Sequence, residues 1–353
     1  MGRTELRCHR IFREAALVMI VAGTALGESS ESACASCHSA QTMHQAETPM
    51  AQAMLLPGEN PVFKVHPKLT VRKGSYTYTI ETRDGNTLYT VSDDLNTVSL
   101  PIRWTIGKRM QTWVLERDGH YLESLVSYYP NSDRIDLTVG DEGFTPHSID
   151  EAIGRPLSLK EANDCFGCHS TRAVIDGKLS LDSLRAGITC EHCHQKANTH
   201  GFDAIQGVFD SSPPDLKRLS AEGVNDFCGQ CHRTWETVIR TGIRGVPNVR
   251  FQPYRLENSK CFDGSDRRLT CIACHDPHKN LIRDASVYDK VCVACHRSNA
   301  NRASLQPAKH CPKAAAKCVS CHMPRIEVNS PGGLLTFTDH QIRITKSPET
   351  YPN

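Results

Sequence analysis

The chain has 353 residues, 39% of them apolar and 23% charged, with 41 Lys and Arg nearly balanced by 39 Asp and Glu. That balance leaves no basic face for a nucleic-acid partner, and past the first 26 residues no stretch is long and apolar enough to cross a membrane. What is distinctive is the cysteine content, 17 residues in all.

Arg3, Arg7, Arg10 and Arg13 make a basic start, followed by an apolar run from Ala15 to Leu26. Small residues in Ala25-Leu26-Gly27 then offer a cleavage site. This is the layout of a secretory signal peptide over residues 1–27, since about a dozen apolar residues are too few to span a bilayer. An uncleaved N-terminal anchor is the alternative. Removing residues 1–27 leaves 37 basic against 37 acidic residues.

Residues 28–61 carry the word Cys34-Ala-Ser-Cys37-His38, then Met43, His44, Met50 and Met54 in a helical pattern. From 62 to 144 the pattern turns to β alternation. Tyr76-Thr-Tyr-Thr-Ile-Glu and Thr87-Leu-Tyr-Thr-Val flank Asp84-Gly85, and a second alternating pair flanks Asp118-Gly119. Asp-Gly favours the tight turn of a β-hairpin. This predicts a small antiparallel insert, with Trp104, Trp113 and the tyrosines of 121–129 in its core or covering a cofactor face. It has no catalytic word, so its role is structural or in docking a partner.

Residues 145–325 hold six more copies of C-x-x-C-H: Cys165–His169, Cys190–His194, Cys228–His232, Cys271–His275, Cys292–His296 and Cys318–His322. This is the attachment word for c-type haem. Two thiols three positions apart share one side of a helical turn, so both can bond one porphyrin edge while the following His meets the iron. The thioether pairs are then Cys34 and Cys37, Cys165 and Cys168, Cys190 and Cys193, Cys228 and Cys231, Cys271 and Cys274, Cys292 and Cys295, and Cys318 and Cys321. The proximal ligands are His38, His169, His194, His232, His275, His296 and His322. Zinc uses paired cysteines too, but its chemistry does not require His after every second Cys. A disulfide scaffold explains neither the spacing nor the histidines. The expected cofactor is therefore haem c, seven copies, covalently held.

Start-to-start spacings of 25, 38, 43, 21 and 26 residues are too uneven for a solenoid. They leave so little chain per haem that the porphyrins must act as the core, and the apoprotein is expected not to fold. The fold class read from this is α+β: an irregular, mainly helical multihaem scaffold with an inserted antiparallel β domain. A tail, 326–353, follows. Two propionates per haem make the mature holoprotein acidic, although the bare sequence has a pI of about 7.9.

Seven irons also call for distal ligands. Candidates are His278, placed by Pro277 just after a haem word, then His200, His340, His66, His310 and His147. His192 lies inside a haem word, where its backbone is committed, and His44 and His120 fit less well. Met50 is an alternative ligand for one iron, where a thioether would raise the potential, or else a core methionine.

Several of these stretches resemble a known group. Cys-Ile-Ala-Cys-His-Asp-Pro-His at 271–278 and Cys-Val-Ser-Cys-His-Met-Pro at 318–324 are similar to multihaem cytochromes of the cytochrome c-554 superfamily. Phe337-Thr-Asp-His-Gln-Ile-Arg343, Arg250-Phe-Gln-Pro-Tyr-Arg255 and Gly187-Ile-Thr-Cys-Glu-His-Cys-His194 look like segments of their larger bacterial relatives. The resemblance implies electron transfer through closely stacked, mainly bis-His haems, and distal roles for His200, His278 and His340. The chain departs from the tetrahaem carrier in its seven words and its β insert.

The leading expectation is thus an exported electron carrier of the periplasm or cell surface, working between redox proteins such as a quinol dehydrogenase, other cytochromes or a terminal reductase. One rival is an oxidoreductase of a small nitrogen or sulfur compound with one open haem, for which the isolated word at Cys34–His38 is the first suspect. Related nitrite and tetrathionate reductases mark the open haem with Lys in place of His, and none of the seven words here ends in Lys. The other rival is a subunit of a haem filament or a membrane-associated complex.

Outside the haem words and residues 1–27 the cysteines are Cys261 and Cys311, which in an oxidising compartment points to one disulfide. Thiol titration of the denatured, unreduced holoprotein should then find no reactive thiol, and two equivalents would refute the bridge.

Overall fold

The computed structural model describes residues 34–195, 197–208, 215–243, 245–296, 311 and 316–345. The expected signal segment and the candidate ligand His310 lie outside them. The architecture is α+β, an antiparallel sheet joined to short helices and loops that carry the haem words.

Seven strands follow one another closely: β1 (Met54–Leu55), β2 (Lys68–Lys73), β3 (Tyr76–Arg83), β4 (Asn86–Ser92), β5 (Thr97–Ile106), β6 (Thr112–Arg117) and β7 (His120–Ser124). Strands β8 (Val126–Tyr129) and β9 (Arg134–Leu137) form a separate ribbon, and β10 (Gly154–Pro156) returns to pair with β7. The sheet runs β10-β7-β6-β5-β4-β3-β2. Its long strand β5 pairs with β4 through Thr97–Pro101 and with β1 through Thr105 and Ile106. The sheet therefore recruits β1 and β10 from either side of the alternating stretch 62–144. Both Asp-Gly pairs make the expected hairpins. Asp84 and Gly85 have φ of 49° and 78°, and Asp118 and Gly119 have 51° and 75°, the left-handed pair that matches strand twist.

Alternation gives the sheet two working faces. One collects Phe63, Tyr78, Ile80, Tyr89, Val91, Trp113 and Leu115 into an aromatic core, closed by Ala152 and Ile153 of the helix Ile149–Ile153. Trp113 is fully buried, 6.1 Å from the Phe63 ring and 5.9 Å from Tyr89. The other face presents Met54, Trp104 and Val114 to the helix Leu159–His169. Trp104 meets Phe166 edge-on at 5.0 Å, and Tyr121 lies 5.8 Å from the same ring. Phe166 sits between the two cysteines of a haem word, so the sheet docks directly on a cofactor-binding turn.

Elsewhere the apolar core is thin. The helices Cys271–Cys274, Asp289–His296 and Cys318–His322 bury no residue, and a small cluster of Val238, Phe251 and Tyr254 is the main apolar contact beyond the sheet among the described residues. No described helix is long and apolar enough to cross a membrane.

Trp113→Ala should lower stability by about 3–5 kcal/mol, the usual cost of emptying an aromatic site. The midpoint of denaturant unfolding followed by circular dichroism should fall accordingly, with the haem absorption at 25 °C unchanged.

Candidate functional site

Each haem word occupies a turn of helix. The word at 165–169 ends the helix Leu159–His169, whose start is fixed by a capping box in which Ser158 accepts from the Glu161 N–H and Glu161 accepts from the Ser158 N–H. The word at 228–232 likewise ends the helix Ala221–His232, capped by Ser220. In the shorter turns the His N–H donates to the first Cys carbonyl, at 2.8 Å for His38 and 2.9 Å for His194 and His275. That single bond closes the turn and puts both sulfurs and the imidazole on one side.

Several imidazoles are oriented by backbone carbonyls. The Nδ1 of His169 lies 3.2 Å from the Ala53 carbonyl, that of His322 lies 2.9 Å from Arg343 O, and that of His340 lies 3.0 Å from Thr338 O. A carbonyl can only accept, so Nδ1 carries the proton and Nε2 keeps its lone pair for a metal. His232 Nδ1 meets the Gln252 side-chain oxygen at 3.2 Å, and His278 Nδ1 meets Asp276 at 3.1 Å. Burial also favours the neutral, ligating form. It pushes His169 and His232 below the usual imidazole range, His275 likewise with His232 adding, and His340 to about 4, helped by the neighbouring His275.

Three pairs of imidazole rings lie at nearly one distance. His38 and His200 have centroids 6.3 Å apart, His194 and His278 are 6.2 Å apart and almost parallel, and His275 and His340 are 6.3 Å apart. A metal–nitrogen bond of about 2 Å on each side, plus about 1 Å from nitrogen to ring centre, puts two imidazoles sharing one metal about 6 Å apart. The rings are too far apart to stack in contact, and the gap fits one six-coordinate iron. His194 and His200 also keep a buried Nδ1 without a hydrogen-bond partner. Among the described residues no three His, Cys, Asp or Glu side chains gather as a metal-ion site. The donor set is one of imidazole pairs beside thiol pairs, which suits haem c and not zinc.

The pairs follow a rule in sequence. Counting words from the N-terminus, the partner of word 1 (His200) lies six residues after the His of word 3. The partner of word 3 (His278) lies three residues after the His of word 5, and that of word 5 (His340) lies 18 residues after the His of word 7. Each even-numbered word approaches another word through sulfur. Cys168 of word 2 lies near Cys231 of word 4, Cys228 of word 4 near Cys271 of word 5, and Cys292 of word 6 near Cys318 of word 7, close enough to perturb one another, while Cys168 Sγ donates to the Gln230 carbonyl and Cys271 Sγ to the Asn225 side-chain oxygen. His194 feels His278, His38 and His200 after its own burial, so the rings of words 1 and 3 are neighbours as well.

The remaining candidates sit elsewhere. His66 is held by Asp133 at 2.9 Å, with its ring 5.8 Å from Tyr128 on the sheet side. His147 is exposed, and its backbone N–H donates to Glu151. His44 is exposed beside Glu47, His120 is exposed at the start of β7, and His192 hydrogen-bonds the Ser170 backbone. The ring opposite His38 belongs to His200, while Met50 contributes its carbonyl to the N–H groups of Ala53 and Ile188. For His169, His232, His296 and His322 no second imidazole faces the ring among the described residues. The orienting groups Ala53, Thr338 and Arg343 act through backbone carbonyls, which no residue type announces. Gln252 was visible only as part of the Arg250–Arg255 stretch.

Residues 146–195 match the family model described as cytochrome c554 and c-prime. No curated protein matches the chain. The crystal structure of the outer cell wall cytochrome OcwA aligns with 88% of this chain and 78% of its own, at 15% identity and a TM-score of 0.47. The family match takes in words 2 and 3 whole, with the cap that begins the first and the Gly187 approach that precedes the second. The word these two share with five other sites makes the chain a multihaem c-type cytochrome, a protein of electron transfer.

Proposed function

We propose that the chain is an exported heptahaem carrier, passing electrons between redox proteins through haems that are mainly ligated by two histidines. One observation carries this reading: three imidazole pairs, each 6.2–6.3 Å apart and each joining one haem word to the segment after another. Haem supplies reversible one-electron chemistry, and two histidines per iron close it to substrate. What this chain's own residues do is hold the imidazoles neutral, fix their tautomers and keep the attachment sulfurs of neighbouring words near one another.

Those sulfur approaches and ring pairs support an order of sites in space. Words 1 and 3 adjoin, word 3 reaches word 5 through His278, word 4 lies near both word 2 and word 5, and words 6 and 7 approach through Cys292 and Cys318. A continuous array of this kind suits a conduit, with a quinol dehydrogenase, another cytochrome or a terminal reductase at its ends. Export to the periplasm or cell surface is supported by the basic-then-apolar start of the sequence and by the covalent haem word itself.

A pyridine haemochrome assay with protein quantified by amino-acid analysis should give seven haems per chain. Electron paramagnetic resonance of the oxidised protein should show the irons of words 1, 3 and 5 low-spin. His200→Ala, His278→Ala and His340→Ala should each convert one haem equivalent to high-spin. A high-spin haem in the unaltered protein that binds nitrite, hydroxylamine or sulfite would replace the carrier with an oxidoreductase.

A further inference from the structure

The stretch Arg250–Arg255 and the stretch Phe337–Arg343 meet in the fold, and the contact between them is charged and fully buried. Arg255 Nε lies 2.8 Å from one oxygen of Asp339 and its Nη2 lies 2.9 Å from the other, a two-pronged fit. The Arg255 side chain is 2% exposed and that of Asp339 is 0%. The same Nη2 donates to the Gln341 side-chain oxygen at 2.6 Å. One guanidinium therefore grips the residues on both sides of His340.

A buried ion pair is a poor source of net stability, because the cost of stripping water from both ions offsets most of their attraction. Its place in the fold gives it another use. Asp339 follows directly on the C-terminal hairpin Arg325–Ser330 and Gly333–Thr338, and its N–H donates to the Pro324 carbonyl at 2.9 Å. The chain is thus pinned before, at and after His340. The ring's Nδ1–H then binds Thr338 O, which leaves Nε2 as its free nitrogen, and the ring stands across from His275. Arg255 itself rides on the helix Gln252–Glu257, whose Gln252 orients His232 of word 4. Arg343 also contacts the Asp339 carboxylate, while its carbonyl orients His322 of word 7.

We infer that Arg255 and Asp339 are positioning residues, whose buried pair holds His340 opposite His275 as the second axial partner for the haem of word 5. This rests on the bis-imidazole reading at word 5, and the tests separate the two. In His340→Ala holoprotein one haem equivalent should turn high-spin; if the count is unchanged, the reading at word 5 fails. The paired change Arg255→Met with Asp339→Leu removes both charges of the fully buried pair together, and Arg343, which also contacts that carboxylate, keeps the Gln341 carbonyl and partial access to water. It should also yield one high-spin equivalent, which free imidazole returns to low-spin, while the other haems keep their spectra. Arg255→Lys keeps the charge but loses the fork, and should give a partial high-spin signal that imidazole likewise abolishes. All-low-spin spectra and an unaltered redox titration in either of these variants, with His340→Ala losing its low-spin haem, would overturn the inference.

Discussion

An iron with two imidazole ligands requires rings held about 6 Å apart, and no single helix of this chain supplies both. Helical neighbours three or four residues apart point the same way, so the second ring must arrive from another segment. His200, His278 and His340 all do so, each from the chain that follows a different haem word. In the proposed ligation the imidazole pairs act as a set of long-range crosslinks, stitching together turns that bury almost no apolar surface of their own. This constraint explains why the haem-word half can be so poor in core residues and still have a defined path.

The sheet has the opposite economy. Its aromatic core needs no cofactor, and its second face is used as a platform. Trp104 and Tyr121 seat Phe166 inside word 2, and the strand partner of β5 begins one residue after Ala53, whose carbonyl fixes His169. The N-terminal segment then bridges to word 3, since Gln45 donates to Ile188 O at 2.6 Å and Ile188 N–H donates to Met50 O at 3.1 Å. At that crossing Gly187 has φ of +73°, and a Cβ there would fall 1.7 Å from the Ala51 carbonyl oxygen. Only glycine lets the two strands of chain pass, which gives a physical reason for the residue that opens the Gly187–His194 stretch.

What the sequence reveals depends on whether a side chain itself carries the chemistry. The seven words, the Asp-Gly turns and the period-two alternation are covalent or local facts, and they are legible as written. Recruitment of β1 and β10 into the sheet is not, because two- and three-residue strands have no pattern and are formed by what they lie against. The acceptors that set His169, His322 and His340 are backbone carbonyls, equally silent. Asp339 and Arg255 read as ordinary charged residues 84 positions apart, and only their burial shows that each answers the other. His66 illustrates the converse. Its residue type suits an iron, but Asp133 and Tyr128 on the sheet side already engage it.

The pairing rule also bears on how the chain assembles. Word 1 comes first in the chain, yet His200 comes 162 positions after His38, and His278 and His340 come later still. In the proposed ligation the second ligand of word 1 waits for word 3 to emerge, that of word 3 waits for word 5, and that of word 5 waits for the segment beyond word 7. Until then each of these sites has one histidine and little apolar packing around it. In the proposed arrangement the last pair is held by the Arg255–Asp339 contact; Arg255 shares its helix with Gln252, which orients His232, and Asp339 contacts Arg343, whose carbonyl orients His322. The buried pair thus joins the helix between words 4 and 5 to the segment that follows word 7.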